Sequence, residues 1–290
     1  MQMNTPSRSA RGMRNRIRLT RRGRIALIAS GAVVAGTAVA VPLLTPGDDE
    51  GEPRPTSLVI REGWRATQIY DAVDKTLELP PGTTRNSLAK ANLKLPNDAE
   101  GNPEGYLFPG TYPLGERPTP EKLLAAMVDN ANRKFHGAPI AAGAQRNALN
   151  VYQAVTIASI VQAEAATKGD MGKVARVIYN RLARGMPLQM DSTINYALGR
   201  SAPKAAAKDT GIDSPYNSYQ RMGLPPTPID NPGEAAMRAA ISPTPGDWLY
   251  FVTVKPGDTR FTADQDEHER NVAEADRNRR SASPREGAKT

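Results

Sequence analysis

The sequence predicts an α+β fold preceded by one membrane-spanning helix, and three observations carry that prediction. Helical periodicity dominates 120–135, 147–165, 170–183 and 265–280. Strand-like runs such as SLVI (57–60) and WLYFVTV (248–254) are few and do not alternate regularly with the helices, which excludes a wound parallel sheet. An uncharged run, IALIASGAVVAGTAVAVPLL at 25–44, directly follows a basic block, and about 20 apolar residues span a bilayer core.

The elements follow in order. Residues 1–24 hold Arg8, Arg11, Arg14, Arg16, Arg18, Arg21, Arg22 and Arg24 and no acid. With those set aside, the remaining Lys and Arg balance the 30 Asp and Glu, so the formal charge of +8 belongs to this segment. A nucleic-acid footprint over the folded part is therefore not expected. The basic flank, followed by Asp48, Asp49, Glu50 and Glu52 beyond the apolar run, predicts a cytoplasmic N-terminus (1–24), a transmembrane helix (25–44) and an extracytoplasmic remainder. The competing reading is a cleaved signal peptide, with Ala38–Ala40 offering the cleavage site. Residues 45–57 are a Pro-, Gly- and acid-rich linker.

Beyond the linker, SLVI, a turn at 61–63 and a helix at 67–77 with Ile69, Val73 and Leu77 on one face make a small βα unit. Residues 80–103 are mostly loop with a short helix near 86–91, and 105–112 is an aromatic, strand-like turn. The helix at 120–135 points Leu123, Leu124, Met127 and Val128 inward. An almost wholly apolar helix covers 147–165. Asp170 is the expected N-cap of a helix at 170–183 with a Val174, Val177, Ile178 stripe. Residues 201–209 read as a mobile insertion. Residues 232–240 read as a helix with Pro in its first turn. The run 248–254 reads as a buried strand, paired through a Pro256-Gly257-Asp258 turn with 259–262. A charged helix spans 265–280, and the tail at 281–290 is read as disordered. The folded part divides into a small subdomain at 58–116 and a larger domain at 117–280.

The chemistry concentrates at 156–199. Glu164 ends the apolar helix, close to Ile157, Ile160 and Val161. Partial desolvation of such a carboxyl disfavours its charged form and raises its pKa. A glutamic acid protonated near neutrality is a general acid of the kind glycoside cleavage uses. Its alternative is a structural acid paired with Arg176 or Arg181. Gln162 lies off the Glu164 face by about 200° at about 100° per residue. Downstream, Asn180, Gln189, Asp191, Tyr216 and Asn217 are candidates for sugar subsites, and Glu104, Arg181 and Thr193 are further candidates. The segments 214–219 and 223–228 carry aromatics on proline-stiffened loops, which lose little entropy on binding. The absence of cysteine excludes disulfides and thiolate chemistry. His136 and His268 lack neighbours at metal-ligand spacing and read as surface residues. There is no H-E-x-x-H, Walker or G-x-S-x-G motif, so no metal or cofactor is expected.

The blocks LVIREGWRATQIYDAV, PEGYLFPGTY, TIASIVQAEA, KVARVIYNRLARGMPLQMDSTINYALG, SPYNSYQRMGLPPTPIDNPGEAAMRAAISP and LYFVTVKPGDTRFT together resemble the endolytic murein transglycosylase (YceG-like) family. The resemblance implies a single-pass anchor, a LysM-like subdomain at 58–116 and a catalytic domain at 117–280. It implies cleavage of the MurNAc–GlcNAc β-1,4 bond within peptidoglycan glycan strands by Glu164, leaving 1,6-anhydro-MurNAc ends, and membrane-bound cell-wall synthases as partners. Where the family carries E-K-E, this chain has Gln162-Ala163-Glu164. The family's D-P-T is Asp191-Ser192-Thr193 here. Two other functions compete: a non-catalytic wall-binding scaffold, and a muramidase that uses water.

Overall fold

The computed structural model describes residues 56–200 and 207–282. The basic segment, the expected span at 25–44, most of the linker, residues 201–206 of the expected insertion and 283–290 of the tail lie outside the described residues. Among the described residues no helix is long and apolar enough to cross a membrane.

The architecture is α+β, with two small antiparallel sheets flanking a helical centre. Strand β1 (Ser57–Ile60) alternates its exposure and buries Leu58 and Ile60. Its partner is β2 (Gly110–Pro113), in the register Leu58↔Tyr112 and Ile60↔Gly110, so the aromatic turn contributes a strand. Between them lie α1 (Ala66–Thr76) and the short α2 (Thr83–Ser87), which a 3-10 turn extends to Lys90. The turn entering β2 approaches the 223–228 loop closely. Gly105 has φ +85°, and a Cβ there would stand 2.5 Å from Pro228, so glycine is required on both conformational and steric grounds.

Helix α3 (Pro120–Phe135) starts as the sequence indicates, with Thr119 accepting from Lys122 N and Pro at the first position. The long apolar stretch at 147–165 is shorter than expected. A separate helix, α4 (Ala138–Arg146), precedes it, and α5 (Val151–Glu164) begins at an Asn150/Gln153 capping box. Almost every residue of α5 from Tyr152 to Val161 is buried, as expected of a helix apolar on all sides. It packs against α4, α6 (Met171–Ala183), α7 (Asp191–Ala197) and α8 (Glu234–Ile241).

Three local expectations are corrected. Asp170 does not cap α6 through its side chain: its backbone is already helical, and its carboxylate accepts from Thr167 Oγ1 at 2.8 Å. The polar stretch at 191–197, which the sequence leaves unassigned, forms a helix. Helix α8 starts at Glu234, two residues later than expected, with Gly233 as N-cap, so Pro232 precedes the helix instead of sitting in its first turn. Strand β3 (Tyr250–Lys255) pairs with β4 (Asp258–Thr262) through Tyr250↔Thr262 and Phe251↔Phe261. β3 is half-buried along most of its length rather than buried. It packs against α9 (Gln265–Ala282), and Tyr250 to Thr253 line a cleft. One apolar cluster joins Leu58, Ile69 and Val73 to Leu124, Ile157, Ile160 and Ile178, so the core is continuous across residue 116.

Candidate active site

A cleft of about 690 Å³ opens at the C-terminal end of α5. One wall carries Glu164, Arg181, Gln189, Asp191 and Tyr219; the other carries Tyr250 to Thr253 of β3 and Gln265, His268, Glu269 and Val272 of α9. Glu164 is the last residue of α5, and Ala165 turns the chain into extended backbone. The residue is half-buried. Its Oε1 accepts one hydrogen bond, 2.9 Å from Ser192 N in the first turn of α7, where helical N–H groups lack partners of their own. The Ser192 side chain also lies beside this carboxyl group. Burial pushes the Glu164 pKa up; contact with Ser192 opposes the shift and the nearby Asp191 charge adds to it. The structural alternative for Glu164 is not realised. Arg176 binds the carbonyls of Thr244 and Pro243, and Arg181 binds those of Leu249, Pro187 and Leu188.

The same geometry positions the neighbours. Arg181 is 5% exposed and also donates to Gln189 Oε1 at 2.9 Å. Its guanidinium sits 5.1 Å from the Tyr250 ring centroid. Gln189 has φ +54°, uncommon for a residue with a Cβ, and its N–H donates to Ser218 O. Asp191 accepts from the Tyr219 hydroxyl at 2.6 Å, and burial together with this bond raises the Tyr219 pKa.

The sequence candidates therefore separate. Glu164, Arg181, Gln189 and Asp191 meet in the cleft. Asn180 does not: its amide holds the Gly246 and Trp248 carbonyls. Asn217 is fully buried and ties Thr210 and Ile212 carbonyls. Thr193 bonds Met190 O and Ser218 Oγ in the interior. Tyr216 packs at a tilt against Tyr196 and bonds Thr227 outside the cleft. Glu104 is 3% exposed and accepts from Ala66 N, Asn231 Nδ2 and the Tyr196 hydroxyl. It secures the start of α1 rather than lining the cleft.

Sequence reasoning missed Tyr219, Tyr250 and His268. His268 is half-buried rather than fully exposed: its ring stacks on Tyr250 at 5.0 Å, and burial lowers its pKa. Its Nδ1 is buried without a hydrogen-bond partner. The signal available was the helical spacing of 265, 268, 269 and 272, which share one face of α9. No group of three or more His, Cys, Asp or Glu residues among the described residues has metal-site geometry.

The YceG-like family model matches residues 37–274. The chain belongs to the YceG-like family. An endolytic murein transglycosylase of Bacillus subtilis (strain 168) is 38% identical over 189 residues, covering 65% of this chain and 50% of that protein. One of Streptococcus pneumoniae serotype 2 is 36% identical over 254 residues, covering 78% and 46%. This YceG-like chain thus spans about half the length of the curated relatives it matches. A YceG-like protein of known structure from Listeria monocytogenes superposes with a TM-score of 0.65 at 32% identity, over 74% of this chain and 75% of that one.

Proposed function

We propose that this chain is an endolytic lytic transglycosylase that cleaves the MurNAc–GlcNAc β-1,4 bond within peptidoglycan strands, with Glu164 as general acid and base. One observation carries the reading: Glu164 is held partly desolvated by a single donor, Ser192 N, and opens onto the cleft. The names of the relatives support the substrate class.

In the proposed reaction Glu164 gives its proton to the glycosidic oxygen as the bond from MurNAc C1 to that oxygen breaks. The C6 hydroxyl of the same MurNAc attacks C1 and gives its proton to the Glu164 carboxylate. A C1–O6 bond closes the 1,6-anhydro ring, GlcNAc leaves with a free hydroxyl, and Glu164 is protonated again. No water enters. The nucleophile belongs to the substrate, so much of the entropy of bringing reactants together is already supplied. A raised pKa keeps the acid protonated for the first transfer.

Asp191 in the same cleft favours one second reading, a muramidase in which it directs water. Product mass separates the two. Peptidoglycan digested by the full chain in detergent should yield ends one water lighter than reducing ends. Ordinary reducing ends would establish the muramidase, and binding without any cleavage would establish a scaffold.

We also propose that 25–44 anchors the protein with its N-terminus in the cytoplasm and everything after about residue 45 facing the wall, beside membrane-bound synthases whose nascent strands it shortens. Protease added to intact spheroplasts should remove the C-terminal domain and spare an N-terminal tag. A protected C-terminal domain would overturn this topology. A soluble form beginning near Val41 would show a cleaved signal peptide instead.

A further inference from the structure

On the other side of the α5 terminus from the cleft lies a second pocket, of about 480 Å³. Its walls include Trp64, Arg65, Ser192, Asn195 and Asp230. Neighbouring residues line the two cavities: Ala163 and Ser192 border the pocket, and Glu164 and Asp191 border the cleft.

Two buried polar atoms at this pocket have no hydrogen-bond partner in the protein. Asp230 is 4% exposed, and its Oδ1 is buried without a hydrogen-bond partner. The Ser192 hydroxyl is likewise buried and unpaired. Buried polar atoms in native proteins are nearly always satisfied, so two orphans lining one cavity call for an explanation. Burial, with the Glu104 charge behind it, pushes the Asp230 pKa well up, which favours a neutral acid able to donate as well as accept. Trp64 is half-buried, packed on the core beside the pocket. The cation of the pocket is already committed: Arg65 donates to the Asn195 and Arg200 carbonyls and lies 5.1 Å from the Tyr196 ring centroid. An aromatic wall with hydrogen-bonding groups, the exposed carboxylate Glu62 at its edge and no uncommitted lining Arg suits a sugar hydroxyl or acetamido group better than a phosphate or peptide carboxylate.

We propose that this pocket is a second glycan subsite, holding an N-acetylhexosamine unit of the strand whose scissile bond lies at Glu164, with Trp64 against the sugar ring and Asp230 and Ser192 bonding its polar substituents. The inference rests on reading the Glu164 cleft as a glycan site. It gives a physical reason for acting within a strand: the polymer is held on both sides of the bond to be broken.

The test uses the full chain in detergent carrying Glu164→Gln, and peptide-free GlcNAc–MurNAc oligosaccharides of two and six sugars, with affinity read by calorimetry. The parent should bind the six-sugar probe more tightly than the two-sugar probe. Adding Trp64→Ala or Asp230→Asn should remove about tenfold of that gain, the equivalent of roughly one lost hydrogen bond. Trp64→Tyr should restore most of it, which separates loss of the aromatic wall from misfolding. An unchanged gain in Trp64→Ala and Asp230→Asn overturns the subsite, as does binding of a free stem peptide in competition with none of the glycan. Failure of the cleavage reading is seen separately, as persistent cleavage by Glu164→Gln without further changes, and the binding series still judges the pocket in that case.

Discussion

Two glutamates, buried Glu104 and half-buried Glu164, meet different fates. Glu104 has both carboxyl oxygens engaged, by Ala66 N, Asn231 and Tyr196, and burial outweighs those donors to push its pKa to about 7. Glu164 has one donor, Ser192 N, and a cavity of about 690 Å³ in front of it. Burial raises both pKa values. A raised carboxyl pKa therefore does not by itself mark a catalytic acid; the two residues differ in that Glu164 lines a cleft and Glu104 does not.

The sharpest way to break this comparison is to neutralise each acid in turn. Glu164→Gln should lower glycan cleavage by about 10²–10⁴, the usual worth of general acid catalysis, while the melting temperature stays near that of the parent. Glu104→Gln should leave the rate within a few-fold when both are followed by release of soluble muropeptides. Equal losses in the two variants would erase the distinction.

Stability should show the reverse asymmetry. Glu104 has a folded pKa of about 7 against an ordinary 4.5, so the folded state holds its proton more tightly. The stabilisation is complete below about pH 4.5 and is lost as pH rises through 7, on the order of 3 kcal/mol in all. Asp230 is shifted in the same direction and adds to the trend. Urea midpoints at pH 5 and pH 8 should therefore differ less in Glu104→Gln than in the parent. An unaltered difference would mean that Glu104 does not titrate in this range.

A smaller effect sharpens the Glu164 side. Removing the Asp191 charge takes away one cause of the raised Glu164 pKa. Asp191→Asn should move the alkaline limb of the pH–rate profile to lower pH, because the acid is active only while protonated. The maximal rate should stay within about tenfold, the scale of one lost polar interaction. A limb displaced to higher pH would contradict the electrostatic account. The smallest change is expected at Gln162, whose Oε1 accepts from Gly233 N at the start of α8. Gln162→Ala should cost about 0.5–1.5 kcal/mol of unfolding free energy, measured by urea titration.

The sequence by itself determined the local elements that carry the site. An apolar run long enough for four turns, closed by one acid, dictates a buried helix with a desolvated carboxyl at its end, and α5 with Glu164 is that helix. The Pro-Gly-Asp turn between β-forming runs likewise dictates the β3–β4 hairpin. Local spacing also located Gln189, Asp191 and Arg181. Tertiary structure decided which polar groups remain available. Asn180, Thr193 and Asn217 look as suitable for a sugar as Gln189 does, but backbone carbonyls or buried hydroxyls, many residues away for Asn180 and Thr193, consume their hydrogen-bonding capacity. Two tyrosines stand three residues apart in SPYNSY, and nothing in the stretch distinguishes them; the loop turns Tyr219 to Asp191 and Tyr216 to Thr227. The far wall, with Tyr250 and His268, comes from residues more than eighty positions after Glu164. Periodicity fixes which face of an element is apolar, because that depends on near neighbours. Which polar side chain faces the cleft depends on partners brought together only when the whole chain is packed.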